Sequence, residues 1–265
     1  MIRNGPVALL FHAVFIGFML APLVLVCVVS FTDRAFLSLP SWPPSLRWYH
    51  ALAENADFIR AFRTSLWLGL ASATLAVVLS VPAAMAIARH PARGAEPVRA
   101  FLLSPLLVPH VVLGVAFLRF FSGAGINGTF VALLVAHVLI ILPYALQLVL
   151  AAAYGVDPRL GQAAVSLGAQ PLQVFRRVTL PLLMPGIASG WLLAFLHSFD
   201  ELTMTVFLAD PGTTTLPVRL YLHIEETIDP LVTAASSLLI IGALVLMALL
   251  DRLYGLDRLL AGKGR

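Results

Sequence analysis

The chain has 265 residues, of which 60% are hydrophobic and 11% are charged, and its mean hydropathy is +0.95. Soluble domains carry about 25% charged residues, so this composition excludes a water-soluble globule, and its apolar content excludes a disordered chain. The one cysteine, Cys27, excludes a disulfide framework and a CxxC metal or redox motif. The formal net charge is +4, but the basic residues are scattered between apolar blocks, which argues against a nucleic-acid partner. The composition is that of an integral membrane protein.

Six apolar stretches are long enough to cross a bilayer, because a spanning helix needs about 20 mostly apolar residues. In chain order these predicted spans cover residues 9–31, 64–88, 100–119, 130–153, 185–208 and 230–250. The first is longer than the apolar region of a signal peptide, so we expect it to stay as a membrane anchor. The sequence therefore predicts an all-α polytopic membrane protein, with one transmembrane domain over residues 1–265.

The distribution of Lys and Arg predicts the orientation of the chain. With both termini inside, eleven of the 17 Lys and Arg residues lie on the cytoplasmic side, as the positive-inside rule favours. Proline residues inside the apolar stretches predict kinks, which neighbouring helices can accommodate. These prolines are Pro22, Pro82, Pro109 and Pro143.

The connection between the fourth and fifth spans, residues 154–181, is long and of mixed polarity. Asp157 is suited to cap a helix that begins at Pro158, since proline is tolerated in a first helical turn. Gly168 is expected to end that helix, because glycine adopts the left-handed conformation without a Cβ penalty. Loops of this length are usually functional, so we expect the function of the protein to involve this segment.

A second helix is expected to open at Pro171 and to end at Pro181 and Pro185, where the fifth span begins. The two helices and Gly168 form a segment that we call the elbow (residues 157–181). Its predicted apolar surface consists of Leu167, Leu172 and Phe175, beside Arg176 and Arg177. We expect such a surface to be covered by the protein itself, by a partner or by lipid head groups. The elbow is therefore either a docking site or an interfacial segment.

The elbow resembles the EAA loop of permease subunits from binding-protein-dependent ABC importers. That pattern is Glu-Ala-Ala, three residues, Gly, nine residues, Ile, one residue and Leu-Pro. This chain has Gln162-Ala163-Ala164, Gly168, Val178 and Leu180-Pro181 at the same spacing. Gln162 replaces the glutamate expected to meet a basic residue of the ATPase. A neutral hydrogen bond of about 0.5–1.5 kcal/mol would replace a charge-assisted one of roughly 1.5–3 kcal/mol.

The SFDE and DPGTTTLPVRLY stretches are most similar to the second permease of spermidine/putrescine (PotC-type) importers. The resemblance implies a type I importer permease in a bacterial inner membrane. The implied partners are a second permease subunit in a heterodimer, two ABC ATPase subunits, a periplasmic substrate-binding protein and the lipid bilayer. The residues expected to couple to the ATPase are Gln162, Ala163, Ala164, Leu167, Gly168, Leu172, Phe175, Arg176 and Pro181.

The chain carries no GxxxxGK[ST] phosphate loop. We therefore expect ATP and Mg to bind to a separate ATPase polypeptide, with no cofactor on this chain and no enzymatic activity of its own.

An acidic pair, Asp200 and Glu201, interrupts the fifth apolar stretch. An acidic residue at the centre of a spanning helix costs roughly 2.5–3.5 kcal/mol, so the pair should face protein or water. With His197, Ser198 and Thr203 it forms a candidate substrate path or outer gate for a cation. The alternatives are an internal pair of His197 with Glu201, or a salt bridge to the neighbouring permease.

Two further features predict close contacts between helices. His110 and His137 stand alone in apolar spans, where interhelical hydrogen bonds would satisfy them. Gly186 and Gly190 form a GxxxG pattern that allows a neighbouring helix to approach closely.

A transport permease is favoured over two other classes of protein. An intramembrane enzyme would need a catalytic constellation, and neither HExxH nor GxSxG is present. A purely structural membrane protein leaves the elbow unexplained. The expected substrate is a small organic cation of polyamine type, with amino-acid-like compounds, aminophosphonates and ferric iron as alternatives within the same transporter class.

Overall fold

A computed structural model describes residues 5–89 and 94–254, which are mostly helical. The helices are α1 (Pro6–Val29), α2 (Arg47–Glu54), α3 (Ala56–Arg89), α4 (Ala95–Leu103), α5 (His110–Gly123), α6 (Phe130–Gly155), α7 (Pro158–Ser166), α8 (Pro171–Val174), α9 (Leu180–Phe199), α10 (Thr205–Leu208), α11 (Leu216–Glu226) and α12 (Leu231–Tyr254). Both chain ends, predicted to be cytoplasmic, lie outside the described residues, as do the basic residues Arg3, Arg93, Arg258, Lys263 and Arg265.

Four helical segments of the described chain are long and apolar enough to cross a membrane: Val7–Val29, Ala56–Arg89, Phe130–Gly155 and Pro171–Phe199. A bent pair of helices, residues 95–107 and 110–123, would supply a fifth span, and α12 carries a shorter apolar stretch, Leu231–Val245. Helices α1, α3 and α6 continue through Pro22, Pro82 and Pro143.

The third predicted span, residues 100–119, is not one continuous helix. A 3-10 turn, Ser104–Leu107, follows α4, and α5 begins at His110 after a bend of 99°. Val108 is extended because the ring of Pro109 disfavours the helical conformation in the residue before it. The sequence predicted a kink at Pro109, and the structure has a break there.

The fifth predicted span, residues 185–208, was wrong at both ends. The helix α9 stops at Phe199, and residues 200–204 are non-helical before the short helix α10. At the other end, Pro181 and Pro185 do not separate the elbow from the span. Helix α8 continues into α9 through a π turn, Phe175–Thr179. The wider π turn lies just before Pro181, whose ring would clash with the carbonyl group of Arg177 in a regular α-helix.

The described residues form two compact units, one within residues 60–218 and one of residues 5–59 with 219–253. In the unit of residues 60–218, α9 packs along α6, where the predicted GxxxG pattern lies at the contact. A Cβ atom on Gly186 would lie 2.8 Å from the carbonyl oxygen of Leu148, and one on Gly190 would lie 3.1 Å from that of Ala145. These glycines allow the two backbones to approach closely, as predicted.

In the other unit, a hydroxyl cluster joins the end of α1 to α2 and α12. The Tyr49 hydroxyl group lies 2.6 Å from Ser30 Oγ and donates to Ser237 Oγ at 3.1 Å. Apart from this end, α1 is apolar and exposed along its length. Its exposed apolar side chains are suited to lipid or to another apolar surface.

Candidate transport path and coupling surface

The first helix of the elbow has the ends that the sequence predicts. The Asp157 carboxylate accepts a hydrogen bond from the backbone N–H group of Arg159 at 2.9 Å, which caps α7. Gly168 has a φ angle of +86°. The N–H group of Gly168 donates to the carbonyl of Val165, and that of Ala169 donates to the carbonyl of Ala164. This pair of bonds is a Schellman motif, and it fixes the turn between α7 and α8.

The predicted coupling residues divide into two groups by exposure. Leu167 and Leu172 are 89% and 65% exposed, although both are large apolar side chains. Phe175 does not belong with them, because it is half-buried and packs against the hydrophobic core. The other predicted coupling residues that are exposed are Gln162, Ala163, Gly168, Arg176 and Pro181, while Ala164 is half-buried.

A cavity of about 940 Å³ lies between the elbow and the ends of α3, α6 and α9. Gln162 and Phe175 line this cavity, whereas Leu167 and Leu172 do not. Arg89 also lines it, and its guanidinium group donates to the Thr179 hydroxyl oxygen at 3.1 Å. The elbow therefore has one apolar side that is open to a partner and another that covers a cavity.

The two carboxylates of the acidic pair have different surroundings. Glu201 is 7% exposed, and both of its oxygen atoms are engaged. Its Oε2 atom lies 2.8 Å from His110 Nδ1, and its Oε1 atom accepts the backbone N–H group of Met204 at 2.7 Å. Asp200 is exposed. Of the pair, Asp200 is thus the carboxylate available to a ligand.

The His110–Glu201 contact joins the two interrupted spans of this unit. His110 is the first residue of α5, after the break at Pro109, and Glu201 lies in the break after α9. Gly114 lets the two segments approach, since a Cβ atom there would lie 2.7 Å from the Phe207 ring and 3.2 Å from Met204. His110 was predicted to bond to a neighbouring helix; its partner is instead the Glu201 carboxylate in the break after α9. Its place at the candidate path was missed, although a histidine directly after Pro109 in an apolar span is a signal that could have been used.

The internal pair of His197 with Glu201, given above as an alternative, does not form. The His197 ring stacks on the ring of Tyr144 in α6, with centroids 4.0 Å apart and an interplanar angle of 19°. The helix ends at Phe199, so the spacing of four residues between the two side chains does not place them on one helical face. His197, Asp200 and Thr203 are all exposed, whereas Ser198 is buried.

Ser198 belongs to a buried hydrogen-bond network that the sequence did not predict as a unit. Its Oγ atom lies 2.8 Å from His137 Nδ1 and 2.8 Å from Ser72 Oγ. The other ring nitrogen of His137 lies 3.0 Å from Thr205 Oγ1. The network joins α3, α6, α9 and α10, and it confirms the interhelical bonding expected of His137.

Discontinuous helices at membrane depth are tolerated where they are buried in protein or line a cavity, and in transporters they commonly form the substrate site. The unit of residues 60–218 has two of them in contact, with polar groups satisfied inside the break and an exposed carboxylate at its edge. Together with the apolar helices, this arrangement defines the class of protein as a multi-pass membrane transport component.

The chain belongs to the family described as the binding-protein-dependent transport system inner membrane component, whose model matches residues 76–256. It is 32% identical over 240 residues to the spermidine/putrescine transport system permease protein PotC of Haemophilus influenzae, covering 90% of this chain and 93% of that one. It is 32% identical over 234 residues to the putrescine transport system permease protein PotI of Escherichia coli K12, covering 85% and 82%.

A solved structure with a similar fold is a bacterial ABC transporter involved in the import of the acidic polysaccharide alginate. The TM-score is 0.74, with 14% sequence identity and coverage of 94% of this chain and 95% of that one. The likeness shows the permease fold of a type I ABC importer. The family match and the PotC and PotI relatives identify the protein as the permease component of an ABC importer.

Proposed function

We propose that this permease imports a polyamine-like cation and is driven through its elbow by a separate ATPase. The exposure of Leu167 and Leu172 carries the coupling part of the proposal. Burying one such side chain contributes roughly 1.5–3 kcal/mol, and the Schellman turn at Gly168 holds the two in a fixed relation. A rigid apolar knob of this kind suits docking into a groove of another protein.

The rest of the assembly follows from the family. A second, related permease would complete the translocation path, and two ATPase subunits would bind ATP and Mg and hold the elbows. A periplasmic binding protein would deliver the substrate to the outer loops, with both termini of this chain in the cytoplasm. ATP-driven closure would shift the path between inward-open and outward-open states, which must differ in affinity for the substrate if transport is to have a direction.

Two observations support a polyamine-like substrate. The relatives PotC and PotI are named for spermidine and putrescine transport. Asp200 is an exposed carboxylate at the edge of a helix break, where a protonated amine would find a charged partner. Glu201 contributes less than the sequence suggested, because His110 and Met204 already engage it.

The test uses membrane vesicles that contain the complete transporter, with spermidine uptake and ATPase co-purification measured together. Leu167→Glu places a charge in the docking surface, so we expect the ATPase to be lost from the purified complex and ATP-driven uptake to fall at least about tenfold. The matched control is Leu39→Glu, the same residue type at another exposed position (64%, against 89% for Leu167) in the loop before α2. It should retain the ATPase.

Co-purification of the ATPase with both variants would contradict the coupling proposal. Uptake of an amino acid, an aminophosphonate or ferric iron in place of spermidine would contradict the substrate proposal and leave the coupling proposal standing.

A further inference from the structure

One imidazole ring bridges the break after α9. His137 is fully buried in α6, and its two ring nitrogens reach opposite sides of the break. Nδ1 contacts Ser198, in the last turn of α9, and Nε2 contacts Thr205, the first residue of α10. The five residues between these helices, 200–204, include both carboxylates of the acidic pair.

The direction of each hydrogen bond in this network follows from the hydroxyl group at its end. The Ser72 hydroxyl group donates to the carbonyl of Leu68 at 2.6 Å, so the Ser72 oxygen accepts from Ser198. Ser198 has one proton and uses it there; its oxygen therefore accepts from Nδ1–H of His137. In the neutral ring, Nε2 then carries the lone pair, which accepts from the Thr205 hydroxyl group.

The proton of the neutral ring is thus on Nδ1, and each polar group in this row of hydrogen bonds, from the Thr205 hydroxyl group to the Leu68 carbonyl, has a partner. Removing the ring would leave the Thr205 hydroxyl group without its acceptor and the Ser198 oxygen atom without its donor, one on each side of the break. A buried polar group without a partner destabilises the local structure that contains it. Here that structure is the junction of α9, the break and α10.

We propose that His137 is a positioning residue, which holds the break after α9 in the arrangement that keeps Glu201 buried and Asp200 exposed. It acts through Ser198 and Thr205 and does not itself contact the substrate. The role of Asp200 in transport rests on the proposed function. The positioning of residues 200–204 by His137 does not depend on it.

The experiment measures thiol labelling in native membranes and needs neither substrate nor ATP. In a Cys27→Ser background, Met204→Cys introduces a thiol at a fully buried position inside the break. We expect His137→Phe to raise its rate of reaction with N-ethylmaleimide at least about fivefold, because Thr205 loses its acceptor and Ser198 loses its donor. His137→Asn keeps a donor near Nδ1 for Ser198 but loses the acceptor for Thr205, so its rate should be intermediate.

A second thiol separates positioning from general loosening of the fold. Val149→Cys is fully buried in α6, away from the break, and its labelling should stay slow with His137→Phe. The matched histidine control, His50→Phe at an exposed position of α2, should change neither thiol. The proposal is overturned if His137→Phe leaves Met204→Cys unreactive, or if it exposes Met204→Cys and Val149→Cys alike. Failure of spermidine transport would not change these rates, so the two proposals can fail separately.

Discussion

At the residue scale, the adjacent carboxylates Asp200 and Glu201 differ in what surrounds them. Glu201 is buried between His110 and the Met204 amide, so both of its oxygen atoms already have partners inside the protein. Asp200 is exposed at the end of α9. A sequence shows the pair as two equivalent acidic residues, but only one of them is placed to meet a ligand.

We expect neutralising substitutions to separate these two roles. Asp200→Asn should leave stability unchanged and lower spermidine uptake at least about tenfold, since a charge-assisted contact contributes roughly 1.5–3 kcal/mol. Glu201→Ala should instead lower stability by about 1–3 kcal/mol, because the buried Met204 N–H group loses its acceptor.

Thermal unfolding in detergent and uptake in vesicles would be measured side by side for both variants. Equal stability with equal loss of uptake would show that the two carboxylates act alike, contrary to this assignment.

At the element scale, the packing of α9 on α6 depends on small residues. Gly186 faces Leu148 and Ala152 so closely that a side chain does not fit. Because α9 also carries the elbow at one end and the break at the other, the α6–α9 contact fixes the distance between the coupling surface and the candidate path.

Gly186→Ala should therefore destabilise the protein by about 1–3 kcal/mol, the usual cost of overpacking. Gly242→Ala is the matched control: it lies in α12 with no atom within 4 Å of a new Cβ, and alanine in a helix interior is normally favourable by roughly 0.5–1 kcal/mol. Melting temperatures of the two variants in the same detergent would compare them. A Gly186→Ala protein that melts no lower than the Gly242→Ala protein would contradict the close contact.

At the scale of the whole molecule, the orientation of the helices decides which of their ends an ATPase can reach. The excess of Lys and Arg predicts that the elbow is inside and that the loop after α10 is outside. An ATPase can drive the elbow only if this orientation holds, since ATP is cytoplasmic.

Single thiols in the Cys27→Ser background test the orientation. Gly212→Cys, in open space in the loop after α10, should react with an impermeant maleimide added outside intact spheroplasts. Ser166→Cys, exposed on α7, should react only after the membrane is permeabilised. The reverse pattern would refute the orientation and, with it, the coupling proposal.

The sequence by itself determined the membrane class, the apolar stretches and the ends of the first elbow helix. These depend on local chemistry: hydropathy for the stretches, the Asp157 cap for the start of α7, and the left-handed conformation of Gly168 for its end. The close contact at Gly186 and Gly190 could also be predicted, because residues four apart lie on the same face of a helix.

Only the tertiary structure decided where the spans break and which groups meet. The break after α9 is held by partners distant in sequence, because His110 bonds the Glu201 carboxylate and His137 bonds the Ser198 hydroxyl group. The π turn that connects the elbow to α9 could not be predicted from the sequence either. A proline predicts a helix end, unless the preceding turn is wide enough to accommodate its ring. Sequence spacing describes contacts along a helix, whereas contacts between helices depend on how the helices are packed.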